Sequence, residues 1–435
     1  MGRASGRVQM LGGLISASHL STLTQVPALV TEHTARYGWP EVLIYLCDIQ
    51  QTLLSLLTGE GLDGGRMSGD RPAELEIEGT VPGRAFQLGE ILPSSAQQDQ
   101  WWVPLLNGSE RIGLLRVTTD GPVTDEESVQ DLRELGGLVA LLLVTKRDTS
   151  DAYARLVRRR RMNVSAEMEW RLMPPRTFAT DRVMVSALME PAYQVSGDAF
   201  DYAFAGDLVH LCVIDAMGHD TAAGLTANLA VAACRNHRRQ GHDLVQTAHG
   251  MELALLEQFH GSRYATGILA DLDIGTGVLT WINRGHYPPV VIRRGRFAVS
   301  LECPPAPPMG TDLGIPPPVC REQLEPGDRL LLYTDGITEA RNLEGEEFGL
   351  ERFTDFLIRH HADGLPVPET LRRLIRGHLE YHQGRLNDDA TVLVLEWHGP
   401  LPYAPGQAEA LVGLPEGSAA PGLVRPPVRG EPHNR

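Results

Sequence analysis

The chain has 435 residues, 42% hydrophobic and 22% charged, with a formal net charge of -16. That length exceeds one ordinary core and predicts two domains plus tails. The acidity works against general binding to nucleic acid or anionic membranes, whose phosphates it repels.

The five cysteines, Cys47, Cys212, Cys234, Cys303 and Cys320, contain no C-x-x-C pair and are odd in number, which predicts a reduced, intracellular chain. The apolar segment over 136–144 is too short for a membrane span of about 20 residues, and no other stretch reaches that length. A cytoplasmic protein is therefore expected.

In chain order, Leu20, Leu23 and Val30 suggest a helix over 16–37, kinked or interrupted at Pro27. A strand is expected over 42–47. The glycine-rich stretch 59–71 lacks the Gly-Lys-Ser/Thr ending of a phosphate-cradling loop and reads as a plain loop. Segments 101–106 and 112–117 form a hairpin around Asn107-Gly108. A helix over 125–146 with Leu132, Leu135, Val139 and Leu142 closes this part.

A helix, antiparallel strands and a long exit helix, together with the segment 79–90, resemble a GAF domain, a small α/β sensory fold. The resemblance implies a sensor over 1–147, with a small molecule enclosed among apolar side chains or a dimerisation spacer as alternatives. The charged stretch 148–177 reads as a helical linker, stopped by Pro174 and Pro175, at which two copies could pair as a homodimer, although no clean heptad runs through it. The basic run 158–161 reads as a solvated helix face.

The second domain, 178–398, carries the chemistry. Strands are expected over 183–188, 208–214, 265–273, 278–282, 289–293, 329–334 and 392–397. Helices are expected over 221–239, 243–259, 350–361 and 369–383. Hairpins separated by pairs of helices indicate an α+β layered fold rather than alternating βαβ units. Beyond Gly399 the Pro, Gly, Ala and charge content predicts a disordered tail over 399–435.

Four acidic motifs lie at strand ends: Ser196-Gly-Asp198, Asp215-Ala-Met-Gly-His219, Tyr333-Thr-Asp335-Gly336 and Asn387-Asp388-Asp389. Alone, Asp215 reads as a helix cap. Brought to one edge, however, these carboxylates would repel one another unless cations neutralised them, and their hard oxygens suit Mg2+ or Mn2+. His378 and His382 sit four residues apart without the glutamate of a zinc-protease motif, and read as a surface helix face.

With Arg284-Gly-His-Tyr-Pro-Pro289, the run 327–340 and Asp388-Asp-Ala-Thr391 in the same order, the second domain resembles a PPM-family (type 2C) serine/threonine phosphatase of the SpoIIE-like bacterial branch. The resemblance implies an αββα sandwich, two antiparallel sheets flanked by helices, and two divalent cations, Mn2+ or Mg2+. It implies that Asp215 bridges the cations, that the Ala216 carbonyl adds an oxygen, that Asp198 serves the first metal and that Asp335 and Asp388 hold the second. Asp389 stands where other branches carry Asn.

The substrate implied is phosphoserine or phosphothreonine on an anti-anti-sigma-type regulatory protein, hydrolysed by a metal-activated water. His219 or a water would protonate the departing oxygen. Gly285-His286 reads as a structural turn. Ser196 and Asp220 depart from the family's glycines, and Asp220 places an unexplained charge beside the site. A non-catalytic partner-binding module on the same fold is the competing reading.

Overall fold

A computed structural model describes residues 3–59, 73–94, 99–190, 193, 197–218, 220–342, 345–362, 365–381 and 389–400, with Glu409 and Leu414. Ser196, His219, His382, Asp388 and most of the predicted 59–71 loop lie outside the described residues.

In the N-terminal domain, the helix expected over 16–37 is found as α2 (Val26–Ala35), and a helix not expected from the sequence, α1 (Arg3–Ser18), precedes it. Pro27 stands in the first turn of α2, where a missing N–H costs no intrahelical bond. Then follow β1 (Glu41–Cys47), β2 (Leu53–Leu56), β3 (Glu74–Glu76), α3 (Val81–Leu88), β4 (Leu92–Pro93), β5 (Gln100–Asn107), β6 (Glu110–Thr118) and α4 (Glu126–Arg147).

The strands form one antiparallel sheet in the order β3-β2-β1-β6-β5-β4. Strand alternation splits its sides. Val42, Ile44 and Leu46 pack with α1, α2 and α4, while Tyr45 and Cys47 pack with Phe86 of α3.

The linker is not one helix. It breaks into α5 (Asp151–Val157) and α6 (Val164–Leu172), because Asn163 starts a new helix by accepting the Ala166 N–H at 2.8 Å. The basic run falls in this break rather than on a helix face. Arg158 pairs with Glu167 and Arg159 with Glu74, each at 2.6 Å.

The C-terminal domain contains β7 (Thr177–Ala179), β8 (Val183–Glu190), β9 (Asp198–Ala205), β10 (Leu208–Ala216), α7 (Thr221–Arg239), α8 (Leu244–Phe259), β11 (Ala265–Asp273), β12 (Val278–Arg284), β13 (Val290–Arg293) and β14 (Phe297–Ser300). It continues through β15 (Cys320–Gln323), β16 (Arg329–Tyr333), α9 (Asp335–Thr338), α10 (Gly349–Ala362), α11 (Val367–Tyr381) and β17 (Ala390–Trp397).

One sheet runs β15-β12-β11-β10-β9 and the other β14-β13-β16-β17-β8-β7, antiparallel throughout. Both faces of β8 are buried. Val183, Val185, Ala187 and Met189 enter the core between the sheets, and Met184 and Leu188 meet the α10–α11 layer. Helix α7 covers the first sheet with Ala223, Ala227, Ala230, Val231 and Cys234, the spacing of one helical face. The predicted αββα sandwich is the fold of this domain.

The expectation of reduced cysteines fails at one pair. The proline-rich loop folds back and joins Cys303 to Cys320 at the start of β15, with Cα atoms 6.0 Å apart, while Cys47, Cys212 and Cys234 are free and buried. In the predicted tail, Glu409 is buried and Leu414 packs against the α10–α11 cluster, so these two residues lie on the domain rather than in solvent. Among the described residues no helix is long and apolar enough to cross a membrane.

Candidate active site

The site is built where strand ends of the two sheets meet. In the first sheet, antiparallel register sets Asp198 directly opposite Asp215, and the Ala216 N–H donates to the Gly197 carbonyl at 2.9 Å. In the second, β16 ends at Tyr333, and the Thr334 N–H donates to the Thr391 carbonyl at 3.0 Å. Asp335 therefore opens α9 beside the start of β17, which Asp389 immediately precedes.

Polar bonds join the two sheets. The Thr334 hydroxyl donates to Asp198 Oδ2 at 2.6 Å and accepts the Thr391 N–H at 2.9 Å. The Gly197 N–H donates to Asp389 Oδ2 at 2.6 Å. Glycine is required on both sides of this joint. A Cβ on Gly336 would lie 1.9 Å from the Asp389 carbonyl oxygen, and one on Gly197 within 2.6 Å of the carbonyls of Ala216 and Gly218.

Asp198 and Asp389 are buried and Asp215 is half-buried. Burial first, then the neighbouring Asp215 and Asp389 carboxylates, push the Asp198 carboxyl well above its ordinary range, against the hydrogen bonds of Thr334 and Thr391. A carboxylate held in such company is stabilised by a cation, and an oxygen-only donor set suits Mg2+ or Mn2+. Among the described residues no group of three or more acidic, His or Cys side chains is placed to hold a metal ion, so the fit to metal rests on this donor chemistry.

Of the residues singled out in the sequence, Asp198, Asp215, Ala216, Asp335 and Asp389 gather at these strand ends. Both His219 and Asp388 lie outside the described residues. Asp220, the unexplained charge, caps α7. Its Oδ1 accepts the Ala223 N–H at 2.8 Å and its Oδ2 lies 3.2 Å from Arg263. The Ala223 N–H, more than Arg263, holds this exposed carboxyl below its ordinary range. The cap in this stretch is thus Asp220, not Asp215.

The family model of Stage II sporulation protein E (SpoIIE) matches residues 205–398. Over these residues the C-terminal domain is similar to the SpoIIE family. Asp215, Asp335, Asp388 and Asp389 lie within the match and Asp198 just before it. Protein IcfG of Synechocystis sp. is 25% identical over 244 residues, covering 48% of this chain and 37% of that protein. Phosphoserine phosphatase RsbU of Bacillus subtilis is 22% identical over 241 residues, covering 54% and 69%. The solved RsbU and RsbW domains of Rv1364c from Mycobacterium tuberculosis align with a TM-score of 0.45 and 26% identity, over 51% of this chain and 63% of that one. The chain thus spans little more than a third of IcfG.

The SpoIIE-like domain also uses residues that sequence reasoning passed over. Thr334 and Thr391 carry the joint between sheets, and the only signal for Thr334 was its place beside Asp335. His286, read as part of a turn, is buried. Its Nε2 lies 3.0 Å from the Tyr333 carbonyl and its Nδ1 2.8 Å from the Thr266 hydroxyl, linking β11 to β16. Burial, partly opposed by the Tyr333 carbonyl, lowers its pKa to about 4, so the ring is neutral.

His378 corrects the surface-face reading. It is buried against Phe348, with ring centroids 5.1 Å apart, and its Nε2 lies 3.2 Å from the Gly336 carbonyl, which gives the ring a polar partner inside the domain.

Proposed function

We propose that the chain is a metal-dependent protein serine/threonine phosphatase, acting on phosphoserine or phosphothreonine of an anti-anti-sigma-type regulatory protein in the cytoplasm. The observation that carries this reading is the buried Asp198 carboxyl facing Asp215 and Asp389 across two sheets of a SpoIIE-like domain. Two divalent cations, Mn2+ or Mg2+, would supply a water of lowered pKa and neutralise phosphoryl oxygens.

The chain's own residues have distinct parts in this reading. Asp215 and the Ala216 carbonyl are presented by the end of β10, with Asp198 opposite; Asp215 would bridge the two cations, the Ala216 carbonyl would add an oxygen to one of them and Asp198 would serve the first. Asp335 and Asp388 would hold the second. One oxygen of Asp389 accepts from the Gly197 N–H, which keeps its carboxylate at the seam between the sheets. His219, or a water, returns a proton to the departing serine or threonine oxygen. The name of RsbU, a phosphoserine phosphatase, supports the choice of substrate class.

We further propose that residues 1–147 form a GAF-like sensor that sets this activity, through a small-molecule ligand or pairing with a second copy. The test of the catalytic reading is Mn2+-dependent hydrolysis of p-nitrophenyl phosphate and of a phosphorylated anti-anti-sigma-type protein by the full chain. Asp215→Asn should abolish both. A rate unchanged by that substitution overturns the assignment in favour of a non-catalytic binding module.

A further inference from the structure

Two contacts of the N-terminal domain end on elements directly behind the acidic site. After β1, Gln50 Nε2 donates to the Glu190 carboxylate at 3.1 and 3.3 Å. Glu190 is the last residue of β8 and stands opposite Ala390, the neighbour of Asp389. The second contact starts from Glu78, just before α3, whose carboxylate accepts from the Arg372 guanidinium and lies 3.1 Å from Arg376.

Arg372 lies on α11, is 5% exposed, and is also held by Glu369 at 2.8 and 2.9 Å. A buried guanidinium depends on its partners, so the position of Arg372 is sensitive to whether the N-terminal domain supplies Glu78. Burial raises the Glu78 carboxyl, but Arg372 and Arg376 outweigh it and hold the group below its ordinary range. Six residues on, about 9 Å along the helix axis, His378 reaches the Gly336 carbonyl. Gly336 follows Asp335 and is pressed against the Asp389 carbonyl. One helix thus touches the N-terminal domain at Arg372 and the backbone between two site carboxylates at His378.

We propose that α11 transmits the state of the N-terminal domain to the site, with Glu78–Arg372 as the input contact and His378 as a positioning residue for Asp335. This rests on the reading of the acidic cluster as a metal site. A shift of α11 that loosens the His378 bond lets the start of α9 move and weakens the second cation's hold, without any change in the carboxylates themselves.

The test is calorimetric titration of Mn2+ into the metal-free full chain, alongside kcat and KM for p-nitrophenyl phosphate. Glu78→Gln should weaken Mn2+ binding about threefold. His378→Phe keeps a ring but loses the N–H, and should weaken binding about fivefold, the scale of one hydrogen bond. His378→Gln, whose amide can donate from a similar reach, should recover most of that loss. The double variant Glu78→Gln with His378→Phe should be no weaker than His378→Phe alone, since both act through the same helix.

Wild-type Mn2+ affinity in Glu78→Gln, or factors that multiply in the double variant, overturns the inference. If thermal unfolding shows that His378→Phe does not fold, Glu78→Gln at its half-exposed carboxylate decides the matter. Absence of Mn2+ binding by the wild type overturns the metal-site reading and the inference with it. Normal wild-type binding with unaffected variants overturns the inference alone.

Discussion

Thr334→Val isolates the joint between the sheets, because valine keeps the shape of threonine and removes only the hydroxyl. Two bonds disappear. One is the 2.6 Å donation to the Asp198 carboxyl, worth about 0.5–1.5 kcal/mol, and the other is the 2.9 Å acceptance from the Thr391 N–H, whose loss leaves a buried donor unmet at about 1–3 kcal/mol. Discounting for relaxation, the expected loss of stability is about 2–4 kcal/mol.

For a domain of this size that corresponds to a fall of roughly 4–16 °C in the unfolding midpoint. Urea unfolding of the metal-free chain reads the stability change directly. Thr334→Ser, which restores a hydroxyl, should recover most of it. Removing a hydrogen bond that favours the ionised form also pushes the Asp198 carboxyl higher still, so Mn2+ binding should weaken as well. A Thr334→Val protein within about 1 kcal/mol of wild type would refute the claim that this hydroxyl ties the two sheets together.

His286 sets a pH dependence. Its folded pKa of about 4 lies below the ordinary histidine value of about 6.5, so the unfolded chain takes up the proton first. Stability from this group is complete above the unfolded value and falls by about 3 kcal/mol as the pH drops from about 6.5 through about 4. His286→Gln should remove that slope in unfolding measured without metal, and parallel curves for the two proteins would count against it. Gly336→Ala places a Cβ 1.9 Å from a backbone oxygen that no rotamer change can relieve. It should lower stability by about 1–3 kcal/mol and cut Mn2+-dependent hydrolysis at least tenfold, whereas wild-type kinetics would show that the strand end yields freely.

What was legible in the sequence follows from where each residue finds its partners. The range of α7 was readable to the residue because its apolar spacing and its exit at Arg239 are local, and β11 was readable because its apolar residues Ile268, Leu269, Ala270 and Leu272 run up to the Gly275-Thr-Gly277 turn. Strand β9 was not recognised as a strand because Asp198 and Asp201 interrupt its pattern. Asp201 is nevertheless buried, satisfied by Arg235 at 2.7 Å and Arg238 at 2.9 Å from α7. The exposed β14 was equally hidden, since its pairing with β13 is a backbone property that side chains do not announce. The Cys303–Cys320 pair depends on a proline-rich loop returning to a strand edge, which spacing alone does not encode.

The same reasoning separates the two kinds of residue in the site. The aspartates were found because a carboxylate at a strand end is conspicuous wherever it lies. The residues that hold them are ordinary in type: a threonine, two glycines and a histidine that earlier read as surface. Thr334 matters through Asp198, 136 residues away in sequence, and His378 through the carbonyl of Gly336, 42 residues away. Their importance is set by the partner and not by the side chain, so they become visible only once the two sheets are packed. Substitutions at these supporting positions are therefore the sharper test of the site. Removing an aspartate confirms only that a carboxylate was needed, whereas Thr334→Val and His378→Phe leave every carboxylate in place and ask whether its position matters.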